Sequence, residues 1–119
     1  LRAAEVEALR QDATAICRGS AGAVRGLLPT DAETSDADVL SRYVCIHFPH
    51  KLSPVMHSYL GHDAMVDVLT AVIGPNVKCM QSMLFIKAAG KPGRAWHQDE
   101  YFIPTRDRSL TGGWIALDN

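Results

Sequence analysis

The chain has 119 residues, 47% hydrophobic and 21% charged, and its Lys+Arg 12 against Asp+Glu 13 leave a formal net charge of -1. This describes one domain with enough apolar content for a core, too hydrophobic to be intrinsically disordered, and without the basic excess of a nucleic-acid binder or an anionic-membrane ligand. No run of 18 apolar residues predicts a membrane span, and three widely spaced cysteines without CxxC spacing (Cys17, Cys45, Cys79) read as free, mostly buried thiols in a reducing, cytoplasmic setting.

Residues 1–18 predict an amphipathic helix. Val6, Leu9, Ala13 and Ile16 share one face, Glu5, Glu7, Arg10 and Asp12 populate the rest, and Arg18-Gly19 is a stop signal. Residues 19–38, rich in Gly, Ser, Thr and Asp, predict a loop with a short ordered patch from Val24 to Leu28. Residues 39–48 carry Tyr43, Val44, Ile46 and Phe48, which suits a short extended segment ending at Pro49.

Ser53-Pro54 predicts a helix start, since serine accepts from orphan amides and proline at the first helical position loses nothing. That helix should end near Leu60-Gly61. A second should follow with Asp63 as N-cap and a buried stripe of Met65, Val68, Leu69, Val72 and Ile73, stopping at Gly74-Pro75.

Beyond Pro75 the expected order is a strand from Val77 to Lys87, a turn at Ala88 to Gly93, and an extended segment from Ala95 to Phe102 closed by Pro104. A polar loop from Thr105 to Gly113 and a last strand from Trp114 to Asn119 complete it. A single domain over residues 1–119, helical over 1–75 with strands over 76–119, is an α+β arrangement. Its sheet breaks off unfinished, as expected of part of a longer domain.

The sharpest motif is Trp96-His97-Gln98-Asp99. On a strand, residues i and i+2 share a face, so His97 and Asp99 would aim an imidazole nitrogen and a carboxylate oxygen at one point. Those are two of the three ligands of a 2-His-1-carboxylate facial triad, which leaves Fe(II) open for cosubstrate and oxygen. The tripeptide alone says little. With 5 histidines and 13 acidic residues, composition yields about half a match by chance, and a surface histidine beside a loop aspartate is the plain alternative.

The surroundings say more. The run "QSMLFIKAAGKPGRAWHQDEYFIP…GGWIALDN" resembles the phytanoyl-CoA dioxygenase family of Fe(II)/2-oxoglutarate oxygenases, with the best match from about Lys51 to Asn119. The resemblance implies a double-stranded β-helix (jelly roll), of which this chain would hold the N-terminal helices and first strands. It implies hydroxylation of a small-molecule substrate using Fe(II), 2-oxoglutarate and O2, with release of succinate and CO2. His97 and Asp99 would be iron ligands, and Gln98 would border the cosubstrate. Met83 would line the 2-oxoglutarate pocket, Trp114 would pack against the cosubstrate, and Lys51 would contact its carboxylate, with Lys87 as an alternative. An ammonium suits a dicarboxylate.

Each residue also has a simpler reading: Met83 in the core, Trp114 anchoring a sheet, Lys51 and Lys87 solvated. Arg106-Asp107-Arg108 reads as an exposed loop of a kind that can close over an active-site mouth. His47 and His50, or His57 and His62, have spacings that make no natural zinc clip.

The family pattern also needs a later histidine and an arginine, and no histidine follows His97. The chain alone is therefore expected to be nearly inactive, and open sheet edges would favour self-association. The alternative is a non-catalytic binding or assembly module with the same fold. A cupin-type metalloenzyme ranks last, because it would need more histidines on adjacent strands.

Overall fold

The computed structural model describes residues 1–22 and 29–118; the patch expected at Val24 to Leu28 lies outside them. Helix α1 spans Ala3–Cys17. Leu9, Ala13, Ile16 and Cys17 are its buried residues, so the predicted apolar face forms, with Cys17 added and Val6 at its half-buried edge. The Glu5 carboxylate fastens its start, accepting the Arg2 backbone N–H at 2.7 Å and the guanidinium at 3.0 Å. Gly19, at φ 80°, lets the chain turn away after the Arg18 cap.

Helix α2, Asp36–Ser41, occupies ground where the composition suggests loop and the start of an extended segment. Ser35 caps it, accepting from the Asp38 amide at 3.2 Å. Its Val39 inserts fully buried against α1, and Arg18 pairs with Asp36 and donates to the Thr34 carbonyl at 2.7 Å.

The extended segment expected over 39–48 shrinks to strand β1, Cys45–His47. It pairs antiparallel with strand β2, Met83–Phe85, in the register Cys45 with Phe85, Ile46 with Leu84 and His47 with Met83. Ile46 and Leu84 face the core together, and the Tyr43 hydroxyl donates to the Cys17 carbonyl at 3.1 Å. Lys91 Nζ reaches back from the Gly90 turn to the Ser41 carbonyl at 2.5 Å, tying that turn to the end of α2.

Helix α3, Pro54–Ser58, starts where Ser53-Pro54 predicts. The Ser53 hydroxyl accepts from the Met56 amide at 3.1 Å and donates to Asp12 of α1 at 2.5 Å, so this buried polar group is satisfied on both sides. A 3-10 turn at Tyr59–Gly61 precedes helix α4, Asp63–Ile73. The cap of α4 is His62 rather than Asp63: its Nδ1 accepts from the Ala64 amide at 3.2 Å.

Four expectations fail. No residue of α4 is fully buried: Met65, close to Gly113, and Leu69 are half-buried, while Val68 and Val72 are 61% and 67% exposed, because no described helix or strand covers the rest of the apolar stripe. The strand expected over Val77–Lys87 is only Met83–Phe85. The segment Ala95–Phe102 ends not in strand but in helix α5, Asp99–Phe102, where the Ile103 amide bonds to the Asp99 carbonyl at 2.9 Å. Trp114 to Asp118 has no ladder partner among the described residues: Trp114 stacks on Phe85 of β2, Leu117 packs against the core and Arg10 pairs with Asp118 at 2.5 Å.

The described residues are therefore mixed helix and a two-stranded antiparallel ladder, an α+β arrangement without a jelly roll. The cysteines also differ from expectation: Cys17 is buried, Cys45 half-buried and Cys79 exposed. No described helix is long and apolar enough to cross a membrane.

Candidate functional site

The chain reaches His97 through an irregular stretch and passes Gln98 with extended backbone (φ -101°, ψ 123°) before turning into α5. His97 and Asp99 remain side by side although Asp99 is helical. His97 Nε2 lies 3.1 Å from Asp99 Oδ1, with the two side chains 40% and 62% exposed. His97 Nδ1 lies 2.8 Å from the Ala95 carbonyl. A carbonyl only accepts, so Nδ1 carries the proton. The Phe102 ring, edge-on at 5.4 Å, supports the imidazole from the far end of α5.

This geometry has a chemical consequence. With its proton on Nδ1, a neutral imidazole offers a lone pair at Nε2 directly toward a carboxylate oxygen. At that distance the pair can share one proton as an ordinary hydrogen bond or offer both atoms to a cation. Among the described residues no third His, Cys, Asp or Glu joins the pair.

Glu100, which no sequence motif singles out, organises the next segment. Its Oε1 accepts from the Thr105 amide at 2.5 Å and the Thr105 hydroxyl at 2.7 Å, and its Oε2 from the Leu110 amide at 3.1 Å. These bonds hold its carboxyl below the usual range, the Thr105 hydroxyl contributing most. Within the loop, Ser109 donates to Asp107 at 2.7 Å and Arg108 takes a left-handed φ of 55°. The Thr and Ser around the Arg106-Asp107-Arg108 turn signal local capping, but nothing in their spacing selects Glu100 as acceptor.

The outward face of the ladder holds a second group. Met83 and Phe85 share the face of β2 opposite to Leu84. The Trp114 ring stacks on Phe85 at 5.6 Å, 12° from parallel, and the Arg94 guanidinium stands 4.9 Å from the Phe85 ring centroid. Cys45 sits across the ladder from Phe85; partial burial raises its thiol pKa, and nearby Arg94 opposes that. Met83 Sδ accepts from Gln81 Nε2 at 3.7 Å. Lys87 is exposed beside Gly93.

Lys51 stands apart. It follows Phe48, a residue with left-handed φ of 57°, and its ammonium rests 4.5 Å from that ring's centroid. His50, Lys51, Leu52, Ser53, Pro54 and His57 line an open cleft of about 430 Å3. His50 Nδ1 meets the Ser82 hydroxyl at 2.6 Å, and the His50 and His57 rings are 6.5 Å apart.

The structure thus brings His97 to Asp99, and Trp114 to the strand that carries Met83. Among the described residues, Lys51, Met83 and Trp114 make no hydrogen bond, ion pair or ring contact with the His97–Asp99 pair.

The described residues thus present an exposed imidazole–carboxylate pair and, separately, an aromatic and cationic surface on the outward face of the ladder, on a small α+β scaffold. The sequence matches the model of the phytanoyl-CoA dioxygenase (PhyH) family over residues 1–119, so the chain belongs to that family, which is one of oxygenases. Neither the curated proteins nor the solved structures give a match.

Proposed function

We propose that this chain carries the ferrous-ion and cosubstrate elements of an Fe(II)/2-oxoglutarate-dependent dioxygenase that hydroxylates a small organic substrate. The observation that carries this reading is the 3.1 Å approach of His97 Nε2 to Asp99 Oδ1, with Nδ1 turned to the Ala95 carbonyl. A protonated Nδ1 leaves Nε2 free as a ligand, and a carbonyl at Nδ1 is the usual outer partner of a metal-binding histidine. The bound ion with 2-oxoglutarate and O2 would supply oxygen activation coupled to decarboxylation, yielding succinate, CO2 and a hydroxylated product.

The protein's own part is to orient and exclude. His97 and Asp99 would hold the ion, and the Phe102 ring lies edge-on against the imidazole. Gln98, between the ligands, borders the cosubstrate. Met83 and Trp114 form an apolar wall on the outward face of β2. Lys51, which rests on the Phe48 ring apart from the His97–Asp99 pair, would reach a cosubstrate carboxylate only from the neighbouring cleft.

With two ligands and no histidine after position 97, the 119-residue chain by itself should bind divalent metal weakly and turn over little 2-oxoglutarate. Mn(II) titration, with and without 2-oxoglutarate, tests the reading. Measurable binding that 2-oxoglutarate tightens, and that His97→Ala and Asp99→Ala abolish, supports it. Binding that ignores both substitutions refutes it, and no metal binding at all favours the non-catalytic module.

A further inference from the structure

We infer that Glu100 is a positioning residue: it clamps the 105–110 loop onto the helical turn that begins at Asp99, so that loop and metal-binding acid move as one body. The inference rests on the metal reading above, and its support is geometric. One part-buried carboxylate takes three donors from two points of the loop, the Thr105 amide and hydroxyl at one end and the Leu110 amide at the other. Both carboxylate oxygens are engaged, and a charged acceptor with several N–H and O–H donors forms stronger bonds than a neutral one.

The chain leaving Leu110 then returns to the acid itself. A Cβ built on Gly112 would lie 3.7 Å from Asp99 Oδ2, so the backbone at Gly112 runs alongside the free carboxylate oxygen. The other oxygen, Oδ1, faces His97. Asp99 therefore stands between the imidazole and a backbone segment whose approach is set by its neighbour Glu100. Among the described residues, the loop's other hydrogen bonds are local, from Ser109 to Asp107 and Thr105, from Arg108 to Thr105 and from the Thr111 hydroxyl to the Ser109 carbonyl. Releasing the clamp would free the loop with Arg106 and Arg108, and let the Asp99 carboxylate choose other rotamers.

The test compares Glu100→Ala, Glu100→Gln and His97→Ala with the unmodified chain, using Mn(II) as the probe. Two quantities are read: amide hydrogen exchange at Thr105 and Leu110, and Mn(II) affinity. Glu100→Ala should speed both amides at least about tenfold and weaken Mn(II) binding by roughly tenfold, the lower range for outer-shell partners of a metal ligand. Glu100→Gln keeps the shape and one acceptor oxygen, and should restore part of both. His97→Ala should abolish Mn(II) binding and leave the two amides protected.

Exchange rates unchanged in Glu100→Ala, or an opened loop with unchanged Mn(II) affinity, would overturn the inference. If the unmodified chain binds no Mn(II), the metal reading fails rather than the clamp, which the exchange rates then decide alone.

Discussion

The two halves of the chain are built differently. From α1 to β1, apolar residues meet partners: Ile16, Cys17 and Val39 have no exposed surface, and Ser53 just beyond is buried and satisfied. From α4 onward, Leu84 is the one buried residue among those described, while Trp96, Tyr101 and Trp114 lie open. The candidate ligands sit in the second half, on an irregular segment and a single helical turn. The packed core and the candidate ligands thus occupy separate regions, and the region with His97 and Asp99 is the one with least packing to hold it rigid.

Substitutions of matched chemistry can break that contrast. Ile16→Ala should cost roughly 2–5 kcal/mol of stability, since it opens a cavity in the packed half, whereas Val72→Ala on α4 should stay within about 0.5 kcal/mol. Urea denaturation of both variants reads the difference, and a comparable loss in the two would mean that α4 is covered in solution. Ser53→Ala should cost about 1 kcal/mol, the usual worth of a lost cap, with added cost for leaving Asp12 without its buried donor.

The thiols sharpen the contrast kinetically. Burial pushes the Cys17 thiol up to about 11, so at pH 8 iodoacetamide should modify exposed Cys79 first, Cys45 more slowly and Cys17 only on unfolding. Because a raised thiol pKa favours the neutral form, Cys17 should also withdraw stability as pH rises from its ordinary 9.0 toward 11.

The smallest effect is expected at the start of α1. The hydrogen bond from the Arg2 side chain holds the Glu5 carboxyl down at about 2. Its contribution is present above the ordinary 4.5 and is lost as pH falls from there through about 2. Acid-induced fraying of the first turn, followed by amide exchange, should weaken in Glu5→Gln.

What the sequence discloses follows the range of the forces involved. Ser53-Pro54, Arg18-Gly19 and the α1 stripe are legible because caps and helical faces are decided within one or two turns. The α4 stripe is equally legible as a pattern, but its burial depends on a covering element that the described residues do not supply. The segment Ala95 to Phe102, between a Gly-rich turn and Pro104, reads as extended, whereas Asp99 and Glu100 at the head of a turn favour helix locally, and no neighbouring strand among the described residues overrides them.

Strand geometry predicts the pairing of His97 with Asp99, and their 3.1 Å approach arises by another route: an extended Gln98 followed by a helical turn. The role of Glu100 is hidden in the sequence because its partners, five and ten residues away, are mostly backbone amides, which carry no side-chain signature.

Phe48 holds a left-handed backbone that a side chain with Cβ tolerates poorly, at a cost on the order of 1 kcal/mol. Glycine would adopt that bend freely, yet it would leave the Lys51 ammonium with no ring to lean on. A relaxed main chain and an aimed cation are thus rival goods at one position. A search for hardier versions of this protein that installs glycine in place of Phe48 would gain ease of backbone and lose the ring against which the Lys51 ammonium rests.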